Sequence, residues 1–513
     1  MIITKSLFVE FSTNPKLARR HANDKPTYTL ISDTKHAAMD WEAIWKAVEY
    51  MVLSTYIWQE ITSVDRNGTW VSSQHQNYHT RTEQALTSAP SVLYQPAFLY
   101  WETFAMCDIL VRNDIGTYDL VEVKAKNSIY KKTKVAPLLD ELVADVSIQA
   151  YVLKKVMWDQ FSWTVYIAHL DAEYIKNGPI NPSLIVIQEE VTSELMSDDL
   201  VELILKSMKE ALALSSEQFD ARYPYEGKDY MTYFGTKPPK DSIWSLTRLG
   251  GKKKAEFHEQ WKIMLKDFDM SDLESLYNKK GEPTKASSCL NLWMNWPETI
   301  DTVALEEELG LLKYPLYFYD YETINGPIPA IEWTSPRQQV VVQYSLHKFQ
   351  SDGTYSHHED IIRPGETSNL RILKNMIHDM DGCKHGTYIV RYKWFENSRN
   401  NERALMHPDY AKNLAFINDH TFDLMEIFSN QIYYHRDFQG SSSIKKVLPV
   451  MSDISYKGYA VPNGAVAMEQ LSKIVSNTLD KEEVTEITKN LLEYCKLDTW
   501  AMVKIREKLR EYV

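Results

Sequence analysis

A chain of 513 residues with 57 basic and 70 acidic side chains is long enough for about two to four domains, so more than one core is expected. Its 44% hydrophobic and 25% charged content is that of a globular protein; no apolar run approaches a bilayer span, and the opening MIITKSLFVEFSTNPKLARR lacks the charged-then-apolar order of a secretory signal. The net charge of −13 argues against a protein that coats nucleic acid by bulk attraction, and four cysteines far apart exclude a disulfide framework and a CxxC zinc site, so a reducing, cytoplasmic setting with no membrane partner is expected.

In chain order, the pattern from about Asp40 to Tyr56 predicts a helix with a wide apolar face. The runs SVLYQPAFLYW, FAMCDILVRN and YDLVEVKAK read as strands, with DIG at a turn between the last two. A helix is predicted over Leu138 to Val156, then the strand FSWTVYIAHL, then further strand and helix to Leu214. Asp108 sits near the start of one strand, while Glu122 and Lys124 are i and i+2 on the next and share a face. Asp and Glu can hold a divalent ion, and a Lys beside them can stabilise charge developing on a phosphate. Asp145 and Gln149 stand one turn apart on the following helix. Glu49 and Glu83 are both candidates for a further acid. The basic stretch Lys124 to Lys134, which includes Lys126, is a candidate nucleic-acid contact; Lys252 to Lys254 reads as a solvated face.

Residues 215–312 carry Pro and Gly punctuation and then helical segments, and are expected to form a helical connecting region. At Tyr314 the pattern resets. YPLYFYDYET and VVVQYSLHKF read as strands, TYIVRYKWFE as a strand running toward an acid, and helices dominate from Leu405, the last over Glu483 to Tyr512. Asp320 and Glu322 are i and i+2 on the first strand; two acids on one strand face repel unless a cation sits between them. Tyr494 and Asp498 are i and i+4 on the apolar last helix, where an ionised Asp is costly without a partner. A further acid would close the site, and both Glu396 and Asp423 are open for it. In GSSSIKKVLPV, Ser443 precedes a helix whose first turn holds Lys445 and Lys446, an arrangement able to hold a phosphate.

Asp320-x-Glu322, an aromatic-acid pair and Tyr494-x-x-x-Asp498 together resemble the DEDD exonuclease superfamily in its tyrosine subclass. The resemblance implies an RNase H-like (DnaQ-like) domain over 313–513 with 3′–5′ exonuclease activity. Asp320, Glu322, Asp498 and Glu396 or Asp423 would hold two Mg²⁺ or Mn²⁺ ions, and Tyr494 would position water. The family's second motif normally ends in Asp, where this chain has Glu396. Asp108, Glu122-x-Lys124 and Gln149 resemble the RecB-like branch of the PD-(D/E)xK superfamily. That implies a restriction-endonuclease-like domain over 1–214 with one or two metal ions on Asp108 and Glu122, Lys124 catalytic and Gln149 supporting. The usual Tyr four residues after the Gln is Leu153 here, and the cysteines for an iron–sulfur cluster are missing. The tandem order, carried by LVEVKAKN, DVSIQAYVL, YPLYFYDYET, QYSLH, GSSSIKKVLP and LLEYCKLDTWAMV, is similar to an uncharacterised bacterial family. The expectation is an α/β, metal-dependent DNA nuclease of repair or defence. RNA as the polymer, or a nucleic-acid-binding scaffold with degenerate nuclease folds, are the alternatives.

Overall fold

The computed structural model describes residues 2–23, 41–56, 59–64, 75–131, 137–227, 230–234, 236–246 and 248–513. Asp40 at the predicted helix start, Lys132 and Lys134 of the basic stretch, and Lys228, Asp229 and Gly235 of the stretch punctuated by Pro and Gly lie outside the described residues. The protein is a mixed α/β chain of two compact units. One comprises Met1–Pro224 with Gly326–Pro329 and Thr334–Arg337; the other comprises Tyr225–Asn325, Ala330–Trp333 and Gln338–Val513. None of the helices described is long and apolar enough to cross a membrane.

In the first unit a six-stranded sheet runs in the order Ile61–Ser63, Val92–Tyr94, Ile109–Arg112, Tyr118–Lys124, Phe161–Leu170, Val186–Glu190. Tyr118–Lys124 and Phe161–Leu170 pair in parallel, and the helix Asp140–Met157 makes the crossover, as a parallel pair requires. That helix buries most of its residues in the main core, with Leu142, Val146, Ile148 and Leu153 packed among them. The expected runs SVLYQPAFLYW and FAMCDILVRN each break in two. Gln95 takes a positive φ of 55° ahead of Pro96, and beyond it Ala97–Tyr100 and Thr103–Met106 leave for a three-stranded sheet with Ile3–Thr4. Cys107 and Asp108 sit at this change of sheet, held by the hydrogen bonds Cys107 N to Pro96 O (2.9 Å) and Gln95 N to Asp108 O (2.7 Å).

The second unit is built on a five-stranded sheet ordered Tyr355–Ile361, Val340–Phe349, Leu316–Ile324, Thr387–Val390, Thr421–Asp423. The first two joins are antiparallel and the last two parallel. Leu316–Ile324 is buried at every position, which explains why LYFYDYETI is nearly continuous in large apolar and aromatic residues. Its alternation is visible in the cores. Tyr317, Tyr319 and Tyr321 join one apolar cluster and Leu316 and Phe318 another, and Asp320 and Glu322 continue the second face. The long helix Lys481–Leu509, opened by an Asp480/Glu483 capping box, packs across this strand and its neighbour. Gln343 Nε2 donates to Leu491 O of that helix (2.9 Å).

Residues 225–312 are helical in the main and carry a small core around Ile243, Phe257, Leu265 and Leu290. They group with the C-terminal unit and do not stand as a separate connector. The reason is a strand that sequence patterning did not single out, Glu298–Ile300, paired antiparallel with Tyr433–His435. TYIVRYKWFE also differs from expectation: the strand is only Thr387–Val390, and a helix begins at Lys393.

Candidate metal centre

Asp320, Glu322, Glu396 and Asp498 converge in the second unit, all at most 6% exposed. Strand alternation aims the first two to one side. Tyr494 and Asp498 come from the long helix, and Glu396 from the first turn of the helix Lys393–Met406. That helix is fastened to the strand by Tyr321, whose hydroxyl donates to Asn400 Oδ1 (2.8 Å). Each of the four acids has one buried carboxylate oxygen without a hydrogen-bond partner: Asp320 Oδ2, Glu322 Oε1, Glu396 Oε2 and Asp498 Oδ2. Burial pushes Asp320 up to about 6, with Asp498 adding repulsion. Burial, then Asp320 and Asp498, pushes Glu322 well above the carboxylate range, and burial followed by Asp320 does the same to Glu396. Buried acids left unsatisfied and mutually repelling are the environment that a hard divalent cation relieves, and the donor set of carboxylate oxygens fits Mg²⁺ or Mn²⁺.

Asp423 is engaged elsewhere. Its Oδ2 accepts from Lys393 N (3.0 Å) and its Oδ1 from Met425 N (2.9 Å), so it caps helix starts. The further acid among the open oxygens is therefore Glu396. Three residues escaped the sequence reading. Arg391 donates from Nε to Asp320 Oδ1 (3.3 Å) and its Nη1 lies 3.8 Å from Asp498 Oδ1. Burial opposes its charge, but Asp320 and Asp498 outweigh burial and hold the guanidinium protonated. Tyr456 donates its hydroxyl to Asp498 Oδ1 (2.5 Å). Cys495 places its sulfur within ligand range of Asp320 and Glu322, yet burial pushes the thiol far up, so it stays a neutral neighbour. The one available signal was Arg391, a charge at the end of the apolar run TYIV. Tyr494 is buried among the acids, and burial followed by Asp498 and Glu322 pushes its hydroxyl up.

A cleft of 350 Å³ opens beside Glu396, lined by Arg391, Tyr392, Phe395 and Ser443 among others. Ser443 begins the helix Ile444–Met451 without a side-chain capping bond. Lys445 donates to Pro462 O (2.9 Å); burial lowers its pKa while Asp498 and Glu322 oppose that. Lys446 turns to Gln439 Oε1 (3.0 Å).

In the first unit, Glu122, Lys124, Asp145 and Gln149 also meet. Lys124 Nζ donates to Glu122 Oε1 (2.5 Å) and Asp145 Oδ2 (2.6 Å); Gln149 Nε2 donates to Glu122 Oε2 and Asp145 Oδ1 (both 2.9 Å). Asp108 Oδ2 accepts from Val123 N (2.7 Å). The unforeseen member is Lys5, 3.0 Å from Glu122 Oε1 and 3.2 Å from Asp145 Oδ1. The pairing of Ile3–Thr4 with Thr103–Phe104, and the helix that Thr4 caps, deliver it there from the start of the chain. Burial pushes Glu122 up to about 7, with Asp108 and Asp145 adding to it. Burial also opposes the charge of Asp145, but Lys5 and Lys124 prevail and hold it far below its usual value. With two ammonium groups and an amide on these oxygens, the cluster is already neutralised and fits an added ion poorly. Of the two further acids left open, Glu49 accepts from Tyr94 (2.5 Å) and Gln95 (3.0 Å) and raises Asp108 electrostatically, whereas Glu83 is exposed beside His79. Lys126 pairs with Glu141 at the half-exposed surface, and Tyr151 faces Glu202.

Residues 317–443 match the family described as a domain of unknown function, DUF2779. The chain is 27% identical over 219 residues to the uncharacterized MG366 homolog of Mycoplasma pneumoniae, covering 39% of this chain and 33% of that protein. It is 26% identical over 254 residues to uncharacterized MG366 of Mycoplasma genitalium (46% and 38%), and 27% over 226 residues to uncharacterized UU173 of Ureaplasma parvum (39% and 32%). The chain thus spans about a third of the length of the curated relatives it matches, and fits an uncharacterised family. No solved structure matches it.

Proposed function

We propose that this protein is a metal-dependent nuclease whose C-terminal centre removes nucleotides from the 3′ ends of DNA. The observation that carries the reading is the set of four buried, unpartnered carboxylate oxygens on Asp320, Glu322, Glu396 and Asp498. The sheet order, three antiparallel strands followed by two parallel ones with the acids on the middle strand, is the order expected of an RNase H-like domain. Divalent ions bound there would supply Lewis acidity and a lowered pKa for the attacking water. The chain's own residues have separate tasks. Tyr456 fixes the Asp498 carboxylate, Arg391 balances charge and faces the cleft where a phosphate would lie, and Tyr494 stands ready to orient a water. In the first unit, Glu122 and Asp145 hold the ammonium groups of Lys5 and Lys124, and the neutralised cluster offers no room for a metal-borne cleavage there.

The test is digestion of end-labelled single-stranded DNA and RNA of equal length with Mn²⁺. Wild type is expected to release mononucleotides and Asp320→Ala to release none; equal release by both removes the C-terminal assignment. Faster loss of RNA would make RNA the polymer. Lys124→Ala is expected to spare end digestion. Arg391 favours a second reading, a nucleic-acid-binding scaffold in which a guanidinium has replaced the ions between Asp320 and Asp498. Calorimetric titration with Mn²⁺ separates the two, because the scaffold shows no carboxylate-dependent binding.

A further inference from the structure

A second cavity in the C-terminal unit, of 630 Å³, lies along a face of the long helix adjoining the one that carries Tyr494 and Asp498. Tyr494 and Asp498 face the metal centre, while Lys496 and Trp500 of the same helix line the cavity. Opposite them stand His347, Tyr355 and His357 from the sheet, and the segment Lys457–Ala460 closes the rim. We propose that this cavity binds a nucleotide of a single-stranded nucleic acid, its base stacked on Tyr355 and Trp500 and its phosphate held by Lys457 and Lys496. The proposal rests on the nuclease reading above and adds a place where the substrate strand is gripped away from the acids.

Four observations carry it. The volume is that of a small-molecule site. The aromatic rings form a platform: Tyr355 and Phe349 are stacked at 4.9 Å and 13°, and Trp500 lies 5.4 Å from Tyr355. Tyr355 is 56% exposed, so part of its ring is open to a base. Lys457 and Lys496 form no ion pair among the described residues, in a chain of net charge −13, while the lining acid Glu493 is matched by Lys489 (3.9 Å). The two imidazoles are neutral. Burial lowers His347 to about 3 and His357 to about 4, so they present hydrogen-bonding edges without charge, and Thr499 fixes His347 through Nδ1 (2.8 Å). Stacking faces, unpaired cations and neutral ring edges suit a base joined to a phosphate. The cavity is also wired to the metal centre, since Lys457 follows Tyr456, the residue that donates to Asp498.

The experiment is fluorescence anisotropy of labelled single-stranded DNA and RNA of about 12 nucleotides in EDTA, across a salt series. Tyr355→Ala and Trp500→Ala are each expected to weaken binding about 5- to 50-fold. Lys496→Ala is expected to weaken it and to reduce the slope of log affinity against log salt by about one. Tyr355→Ala and Lys496→Ala alter exposed or rim groups and keep the test open if Trp500→Ala misfolds. If both bind as wild type does while wild type digests DNA with Mn²⁺, the cavity assignment is overturned and the nuclease reading stands. If wild type neither binds single strands nor digests them, both fall. Binding confined to duplex DNA and unchanged by the variants also overturns the cavity assignment.

Discussion

Asp498 keeps its two carboxylate oxygens in different company. Oδ1 accepts from Tyr456 and lies near Arg391, while Oδ2 is buried without a partner. A hydroxyl that orients a ligand from behind tunes affinity without touching the ion, so Tyr456→Phe is expected to weaken Mn²⁺ binding or digestion about 10- to 100-fold while the fold persists. Calorimetry and end-labelled digestion measure it, and an unchanged affinity would make Tyr456 a packing residue only. Arg391 is the counter-charge for two acids that are at most 1% exposed. Taking away one side of such an arrangement leaves charge uncompensated, so Arg391→Ala is expected to cost roughly 3 kcal/mol in the metal-free protein. Mn²⁺ should restore much of the loss, seen as a larger metal-induced rise in melting temperature than wild type shows. At this scale the sequence was partly legible. The paired spacings of Asp320 with Glu322, and of Tyr494 with Asp498, are local geometry and can be read from residue numbers. Arg391, Tyr456 and Lys5 reach their partners across 71, 42 and 117 residues, and no local period encodes such distances.

The strands that carry the acids depend on how their neighbours arrive. Thr387–Val390 enters beside the central strand through Gly386, at φ +89°, where a Cβ would stand 2.3 Å from Pro315 O and 2.8 Å from the Tyr317 ring. Gly386→Ala is therefore expected to destabilise the C-terminal unit by about 2 kcal/mol or more, read as a lower denaturation midpoint with unchanged slope. Elements with strong periodicity were legible to within a few residues: FSWTVYIAHL is Phe161–Leu170, and the last helix is Lys481–Leu509. The long runs before Asp108 were not. A strand that changes sheet looks like one continuous apolar run, because both halves are largely buried and only the backbone turns at Gln95 and at Cys107–Asp108 divide them. TYIVRYKWFE failed for a related reason. Aromatic residues that suit a strand here sit in a first helical turn, where Glu396 is carried inward.

On the scale of the molecule, each unit has its own core and its own buried charge cluster. Lys5 ties the first strand and helix of the chain to Glu122 and Asp145, so Lys5→Ala is expected to lower the unfolding transition of the first unit by several degrees in calorimetry and to spare end digestion by the C-terminal centre. In the C-terminal unit two histidines make an acid-sensitive contribution to stability. His347 and His357 are held to about 3 and 4, chiefly by burial and with positive neighbours contributing, below the ordinary 6.5. The unfolded chain takes up protons that the folded one refuses, so their contribution is full above about pH 6.5 and drains as pH falls toward 4, by up to about 1.4 kcal/mol per pH unit for each histidine, while the raised Asp320, Glu322 and Glu396 carboxyls act in the opposite sense. Urea unfolding of wild type and His347→Gln at pH 7 and pH 5 measures the His347 share: between the two pH values wild type should lose more stability, or gain less, than the variant.

Residue order was enough to show which side chains share a strand face or a helical turn and where the strongest apolar periods lie, because these follow from periods of 2 and 3.6 residues. Packing between distant segments is what turns Glu396 inward while Asp423 caps helices, brings Lys5 to close the first cluster and lets Arg391 bridge the second. Burial and repulsion between acids depend on which distant segments meet, and that is settled by packing between elements, which no local period records.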